Sequence, residues 1–212
     1  MRIVAFANLK GGVGKSSLAV NVAAALSAKR RVILADVDPQ GTALAWAEVG
    51  ALPVEVIAAP LSGDVASWLA GITSLPADIV VLDLPPMLGA ATKAALAVCD
   101  LVAVPVSPSG ADLRATQKAI EMIHDARALR DGMPRALLVP SKVDRRTAAG
   151  AEIEAVLHGY GEPVGPIVAQ RIAHSDAFTA GLWIGDYAPR SAGVAEIRAL
   201  SAVIARLLTQ EN

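Results

Sequence analysis

Residues 10–17 carry the residue types that bind phosphate groups. They follow an apolar run and open a stretch with helical periodicity, which is the context that a phosphate-binding loop requires. Glycines let the backbone turn its N–H groups towards phosphate oxygens, and the start of a helix adds positive partial charge. The predicted nucleotide contacts are Gly11, Gly12, Val13, Gly14, Lys15, Ser16 and Ser17.

Two features of this segment decide how specific the prediction is. Lys15 has the length to reach the β- and γ-phosphates of a nucleotide, and the Ser16 hydroxyl suits Mg²⁺. The first glycine of the usual pattern is replaced by Leu9, and Lys10 is a second lysine. Glycine-rich turns between strand and helix are common, but Gly, Lys and Ser in this order after a strand favour a loop that binds ATP with Mg²⁺.

Three aspartates follow apolar runs and are candidates for binding magnesium and water. Asp36 and Asp38 are separated by one residue and precede Pro39. Both carboxylates could face a metal, although Asp and Pro are also ordinary turn residues. Asp83 ends the apolar run 79–82, a pattern typical of an aspartate that binds a magnesium-ligated water.

Short apolar runs alternate with amphipathic stretches along the whole chain. The runs predict strands at 3–7, 32–35, 54–57, 79–82, 101–104, 136–139 and 164–167. The amphipathic stretches predict helices at 15–28, 42–49, 65–72, 90–98, 111–129, 148–157, 175–180 and 193–208. A strand followed by a helix, repeated, is typical of right-handed βαβ units.

The composition points to the same architecture. Hydrophobic residues make up 54% of the chain and aromatic residues only 3%, so the core must be aliphatic, as in buried parallel strands covered by helices. We therefore predict a single-domain α/β fold of the P-loop NTPase type over residues 1–212, with a mostly parallel twisted sheet and helices on both faces.

Polar and glycine-rich segments follow five of the predicted strands. Ligands of open parallel sheets bind at the carboxyl ends of the strands, so these segments predict one active edge. They are residues 8–15, 36–40, 83–86, 105–110 and 140–144.

Several of these segments together resemble the ParA/MinD family of ATPases. The loop K-G-G-V-G-K-S-S is similar to the deviant Walker A box of that family, residues 36–41 to its D-x-D-P-Q-G box, and residues 83–86 to its D-x-P-P box. Later matches are P-V-S-P-S at 105–109, D-R-R-T at 144–147 and the stretch 171–191. The resemblance covers nearly the whole chain and favours the small ParA-type subgroup that partitions DNA or positions other cargo.

The resemblance implies roles for individual residues. Lys10 would reach across a dimer interface to the nucleotide of the partner subunit, where a cation neutralises charge on the transferred phosphoryl group. Asp38 would lie near the attacking water and Asp36 near the magnesium shell. Ser141 and Pro189 would lie beside the adenine, although Pro189 is explained as well by the start of a helix.

The resemblance also implies partners. The ATP-bound homodimer would bind DNA of the nucleoid without sequence preference, and a ParB-like or other adaptor protein would stimulate hydrolysis. Such DNA binding uses Lys and Arg contacts to phosphates, for which Arg145 and Arg146 are candidates. The formal net charge is −1, so binding would need a local patch, and a solvated helix face explains the local charges almost as well.

Two alternative functions share this fold class. A metabolic ATP-dependent ligase has the same type of loop, but the second lysine and the D-P-Q-G segment argue against it. A MinD-like switch on a membrane surface needs a basic amphipathic C-terminal helix. The stripe of Val194, Ile197, Leu200, Ile204 and Leu207 instead fits an ordinary helix that faces the core.

The remaining features concern compartment and metal content. The single cysteine, Cys99, excludes an iron–sulfur site that needs two ligating cysteines per chain and fits a reducing compartment. No apolar stretch reaches the roughly 18 residues of a membrane span, and the loop begins too early to leave room for a signal peptide. We therefore expect a cytoplasmic, nucleoid-associated protein without membrane contact.

Overall fold

The computed structural model describes residues 1–87 and 89–210, and these residues contain a seven-stranded sheet. The strands are β1 (Arg2–Phe6), β2 (Val32–Asp36), β3 (Glu55–Ala58), β4 (Ile79–Asp83), β5 (Leu101–Val106), β6 (Arg135–Val143) and β7 (Val168–Ala169). Their order across the sheet is β3-β2-β4-β1-β5-β6-β7. Every neighbouring pair is parallel, so the sheet is all-parallel where the sequence predicted a mostly parallel one.

Helices cover both faces of the sheet, as predicted. In the described residues they are α1 (Lys15–Ser27), α2 (Thr42–Val49), α3 (Val65–Thr73), α4 (Ala90–Val98), α5 (Gly110–Ala128), α6 (Ala148–His158), α7 (Ile172–Thr179), α8 (Ile184–Tyr187) and α9 (Ala192–Thr209). The central strands bury both faces, because alternate residues of each strand contribute to one of two aliphatic clusters. Val4 and Phe6 pack against α1 and α9, whereas Ile3 and Ala5 pack against the side of α4 and α5.

Several packing interpretations are confirmed. Cys99 is fully buried in the second cluster, and burial raises the pKa of its thiol to about 12. The apolar stripe of α9 lies in the first cluster, which confirms that this helix faces the core, although Leu208 rather than Leu207 is its last fully buried residue. No helix of the described residues is long and apolar enough to cross a membrane.

The C-terminal third departs from the predicted elements at β7, α7 and α8. Helix α7, predicted at 175–180, begins three residues earlier at Ile172. The prediction of a strand at 164–167 is wrong: β7 follows it, and Val164 forms only an isolated bridge to Leu138. Pro166 interrupts the run and has no N–H to continue a ladder. The short helix α8 was not predicted, since four residues are too few to show a helical period.

The strand order confirms that the five polar segments lie at one edge of the sheet. The five strands with polar carboxyl-terminal segments are β2, β4, β1, β5 and β6, and they are consecutive neighbours in the sheet. In the register, Asp83 lies beside Phe6 on one side and Asp36 on the other. Parallel pairing therefore brings the glycine loop and the two segments that carry the three aspartates to one place.

Candidate active site

The glycine loop joins β1 to α1 and leaves the first N–H groups of the helix uncapped. Gly12 and Gly14 have φ angles of 81° and 96°, a left-handed conformation that side chains with a Cβ rarely adopt. Gly14 is the N-cap of α1 and makes no side-chain cap hydrogen bond. The free N–H groups at a helix start, together with the helix dipole, form an anion site.

Lys15 lies inside this loop rather than in solvent. The residue is 7% exposed, and its Nζ donates to the carbonyl oxygen of Lys10 at 3.2 Å. Burial lowers the pKa of this ammonium, while the charges of Asp83 and Asp38 act in the opposite direction. A desolvated ammonium beside free N–H groups attracts phosphate strongly, because little water screens the interaction.

Asp83 is a buried carboxylate that needs a cation. The residue is fully buried, and neither Oδ1 nor Oδ2 accepts a hydrogen bond of good geometry from the described residues. Burial raises its pKa to about 7, although the nearby Ser16 hydroxyl and the charge of Lys15 lower it in part. Carboxylate and hydroxyl oxygens suit Mg²⁺, so the pair of Asp83 and Ser16 fits the predicted metal site.

Asp36 has a different environment from Asp83. Its Oδ1 accepts from the N–H of Asp38 at 3.1 Å, and its Oδ2 accepts from the N–H groups of Ala43 at 2.9 Å and Leu44 at 3.1 Å. Burial raises its pKa, and these three N–H groups counteract the rise. Asp36 therefore fixes the start of α2 to the end of β2, while its place in a magnesium shell stays a prediction.

Asp38 stands at the opening of the site. It is partly exposed, its Oδ1 accepts from the N–H of Gln40 at 3.0 Å, and its charge acts on both Lys15 and Asp83. Its Oδ2 accepts no hydrogen bond from the described residues, which leaves this oxygen able to orient a water molecule. The structure thus brings Asp38 together with Lys15 and Asp83, as the sequence predicted.

Lys10 is exposed on the rim of the loop. Its N–H donates to Oδ1 of Asn8 at 3.1 Å, and the buried Asn8 amide donates from Nδ2 to the carbonyl oxygen of Pro105 at 2.7 Å. The sequence placed Asn8 in the polar segment 8–15 but gave this residue no role of its own. A polar residue directly after an apolar strand, where the loop begins, was the pattern that could have indicated a role for Asn8.

Ser141 and Lys142, at the end of β6, border the loop. A Cβ added to Gly14 would lie 3.0 Å from Oγ of the buried Ser141, so this hydroxyl packs against the phosphate loop. Lys142 Nζ donates to the carbonyl oxygen of Gly12 at 2.6 Å. Sequence reasoning assigned Ser141 to the base pocket, which stays a prediction, and gave Lys142 no role at the nucleotide.

The remaining predicted residues lie outside this cluster. Pro189 is exposed between α8 and α9; since α9 begins at Ala192 with Ser191 as its N-cap, the interpretation of Pro189 as a helix start is wrong. Arg145 and Arg146 are exposed beyond β6. Arg145 pairs with Glu154 at 3.5 Å, and Arg146 donates to both carboxylate oxygens of Asp144.

The donor set also limits the kind of metal site. Among residues 1–87 and 89–210, no cluster of three or more His, Cys, Asp or Glu side chains could hold an ion. A cage made only of protein ligands is therefore not formed by these residues. Such a sparse set is typical of magnesium held by one or two protein oxygens together with phosphates and water.

Comparison with known proteins connects this geometry to a family. The model of the CobQ/CobB/MinD/ParA nucleotide binding domain matches residues 4–182. The chain is 32% identical over 197 residues to the maintenance of carboxysome distribution protein A of Halothiobacillus neapolitanus, covering 91% of both chains. It is 31% identical over 241 residues to the chromosome-partitioning ATPase Soj of Thermus thermophilus, covering 98% of this chain and 97% of Soj.

Solved structures share the fold at low sequence identity. The septum site-determining protein MinD of Pyrococcus horikoshii, complexed with Mg-ADP, has a TM-score of 0.78 at 17% identity and covers 98% of this chain and 97% of its own. The ATP complex of a Cyanothece McdA variant has a TM-score of 0.76 at 15% identity, over 100% of this chain and 98% of its own. Together with the family match and the glycine loop, these findings show that the chain belongs to the CobQ/CobB/MinD/ParA family of nucleotide-binding domains and, within it, to the ParA/MinD ATPases.

Proposed function

We propose that this chain is a ParA-type switch that binds ATP with Mg²⁺, dimerises, binds DNA without sequence preference and positions a cargo. An adaptor protein on the cargo stimulates hydrolysis and ends the DNA-bound state. The observation that carries the proposal is the buried Asp83 carboxylate, which accepts no hydrogen bond of good geometry from the described residues and lies beside Ser16 and Lys15 of the glycine loop.

Magnesium and the triphosphate fit the residues of this site. Ser16 and Asp83 would hold the metal, Asp83 through a bound water, and the bound ion would neutralise charge on the phosphate oxygens. Lys15 and the N–H groups of residues 11–17 bind and orient the phosphates. Asp38, partly exposed with one oxygen free, orients the attacking water.

The dimer is supported by the position of Lys10. Its side chain is exposed and forms no ion pair in the described residues, while its backbone is held by Asn8. A fixed backbone with a free ammonium suits contact with a second subunit. There the ammonium supplies the charge that an arginine finger supplies in other P-loop enzymes.

Cargo positioning is favoured over other functions of the family by the full-length relatives. Two proteins named for maintaining carboxysome distribution match 91% and 92% of this chain, at 32% and 37% identity, and Soj matches 98% of it. The metabolic alternative is represented by a cobyrinic acid a,c-diamide synthase with a TM-score of 0.72 at 22% identity, a likeness of fold alone. The membrane-surface alternative lacks a free apolar face on α9, whose stripe is buried.

One experiment tests the switch. Self-association and binding to nonspecific duplex DNA are measured with and without Mg-ATP for the wild type, Lys10→Ala and Asp38→Ala, with the exposed Lys29→Ala as a charge-matched control. ATP is expected to drive dimerisation and DNA binding of the wild type and the control. Asp38→Ala should remain in the DNA-bound dimer, because water is no longer oriented, and Lys10→Ala should lose the dimer or its turnover.

Three other results would contradict the proposed function. If ATP binds but produces neither a dimer nor a DNA complex, the positioning function is wrong while the nucleotide site stands. If the ATP-bound protein pelleted with liposomes instead of binding DNA, the membrane-surface alternative would replace it. ATP-dependent consumption of a small carboxylic acid would favour the ligase.

A further inference from the structure

Strand β6 changes its regular geometry at the point where it reaches the nucleotide loop. Its pairing with β7 shifts register between Ser141 and Val143, so Lys142 lies at a bulge. Lys142 also has a φ angle of 52°, in the left-handed region. Lysine has no short polar side chain to stabilise this conformation, unlike Asn or Asp. Bulges and strained residues are frequent beside active sites, where they redirect a side chain.

The redirected side chain lies across the phosphate loop. Lys142 Nζ donates to the carbonyl oxygen of Gly12 at 2.6 Å, and Cε lies 3.8 Å from the position of a Cβ on Gly14. The stem therefore passes over Gly14, and the ammonium ends at Gly12. Both glycines have positive φ. Because glycine adopts many backbone conformations, this part of the loop needs outside contacts to hold its shape, and Lys142 provides one.

No acidic side chain within the described residues competes for this ammonium. The neighbouring Asp144 is engaged by Arg146, whose Nε and Nη2 donate to its two carboxylate oxygens. The ion pairs of the described residues leave Lys142 without a carboxylate partner. Its charge is thus uncompensated and close to the loop that binds phosphate.

We propose that Lys142 is a positioning residue for the nucleotide: its ammonium holds the phosphate loop in shape through the Gly12 carbonyl and adds positive charge beside the phosphates. The inference rests on the proposed ATP-binding function and extends it, because it adds a cation from β6 to the lysines of the loop itself. A surface lysine that contacts a carbonyl by chance would have neither a bulge nor a left-handed backbone to direct it.

The test compares nucleotide affinity with protein stability. Binding of fluorescent ATP and ADP analogues with Mg²⁺ is titrated for the wild type, Lys142→Met, Lys142→Arg, Lys142→Gly and Lys15→Ala. Lys29→Met is the matched control, since Lys29 is an exposed lysine between α1 and β2, at the opposite edge of the sheet. Turnover at saturating ATP and thermal unfolding are measured on the same proteins.

Loss of the charged hydrogen bond is expected to weaken both nucleotides about tenfold in Lys142→Met. Lys142→Gly should lose the same affinity while unfolding at no lower temperature, because glycine accepts the left-handed backbone. Lys142→Arg should restore most of the binding. Turnover at saturation should change much less than affinity, since the ammonium orders the loop and does not orient water.

Two results would overturn the inference. Wild-type affinity in Lys142→Met, with a large loss in Lys15→Ala, would show that Lys142 is an ordinary surface lysine and would leave the proposed function intact. Wild-type affinity in Lys142→Gly would show that the ammonium is not needed. A wild type that binds nucleotide no better than Lys15→Ala would overturn the proposed function and this inference together.

Discussion

The buried carboxylate of Asp83 accepts no hydrogen bond of good geometry from the described residues. Such a group destabilises a folded protein unless a cation or a proton neutralises it. The rise of its pKa from 3.8 to about 7 corresponds to about 4 kcal/mol as an upper limit, at about 1.4 kcal/mol for each tenfold change in the acid equilibrium. The carboxylate is kept at a cost in stability, which is expected where a group serves binding rather than packing.

Asp83→Asn is therefore expected to stabilise the nucleotide-free protein. The folded carboxyl binds its proton more tightly than the unfolded one, so the stability of the wild type falls as the pH rises from about 4 to about 7 and then levels off. The variant should lack this dependence and gain on the order of 2–4 kcal/mol at pH 8. Urea unfolding at pH 5 and pH 8 measures the difference.

The same substitution should remove magnesium-dependent nucleotide binding. Stabilisation of the wild type by Mg-ATP, seen as a higher unfolding temperature, is expected to disappear in Asp83→Asn. An equal stability of the two proteins at pH 8 would contradict the assignment of Asp83 as a desolvated anion. Retained Mg-ATP stabilisation in the variant would contradict its place at the metal.

Sequence reasoning identified residues whose chemistry is visible in their type and spacing. Lys15, Ser16 and Asp83 were predicted because glycine, lysine and serine follow one apolar strand and an aspartate ends another. Asn8 and Lys142 were placed in the polar segments 8–15 and 140–144 but given no role, because their contacts to Lys10 and Gly12 depend on strand pairing and on a bulge. The environment of Asp36 was also hidden, since its three N–H donors come from the backbone of the next segment.

At the level of elements, periodicity predicted the helices of eight or more residues in the described chain and missed α8, which has four residues. Helices α2 and α4 have the predicted bounds, 42–49 and 90–98. Helix α8 depends instead on tertiary contacts: Asn21 on α1 accepts from the N–H of Ile184 at 2.8 Å, and Trp46 on α2 donates from Nε1 to the carbonyl oxygen of Leu182 at 3.0 Å. Contacts between residues so distant in sequence leave no local pattern.

The ends of α2 and α7 meet at a pair of glycines, and this contact tolerates no side chain. A Cβ on Gly50 would lie 2.4 Å from the carbonyl oxygen of Gly181, and one on Gly181 would lie 2.3 Å from the Gly50 nitrogen. The clashing atoms belong to the backbone, so neither helix can yield cheaply. This contact attaches the segment that leads to Pro189 to the segment that carries Asp36 and Asp38.

Gly50→Ala is expected to destabilise the protein by about 1–3 kcal/mol, the usual cost of overpacking. Gly71→Ala is the matched control, because Gly71 lies in α3 and an added Cβ meets nothing within 4 Å. That change should stabilise the protein by about 0.5–1 kcal/mol through helix propensity. Urea unfolding of both variants measures the two effects. A Gly50→Ala protein as stable as the wild type would show that the two helix ends separate easily.

At the scale of the whole molecule, the sheet places phosphate-binding and candidate DNA-binding residues on the same side. The end of β6 carries Lys142 towards the loop, and the chain then continues to Arg145 and Arg146 before α6 begins. With a formal net charge of −1, a single subunit has little general attraction for DNA. In the proposed ATP-bound dimer, two subunits would double any local patch, so DNA binding would depend on the nucleotide.

Arg145 and Arg146 form ion pairs with acidic side chains, and DNA phosphates would have to replace these partners. Their side chains are 69% and 90% exposed in pairs with Glu154 and Asp144. Exposed ion pairs are weak, so DNA phosphates can compete with them at low salt. The double variant Arg145→Glu with Arg146→Glu is expected to weaken ATP-dependent DNA binding and to leave ATP-dependent dimerisation unchanged.

The salt dependence of DNA binding distinguishes direct contacts to DNA phosphates from an effect of the protein's net charge. The plot of log K against log salt concentration has a negative slope. This slope should become less steep by about 0.9 for each phosphate contact that the double variant loses. Arg30→Glu with Arg31→Glu is the control, because these adjacent exposed arginines precede β2 at the opposite edge of the sheet and change the net charge equally. If both double variants make the slope less steep by the same amount, DNA binding depends on net charge alone. A loss confined to the first variant places the DNA at the carboxyl end of β6, beside the nucleotide that controls it.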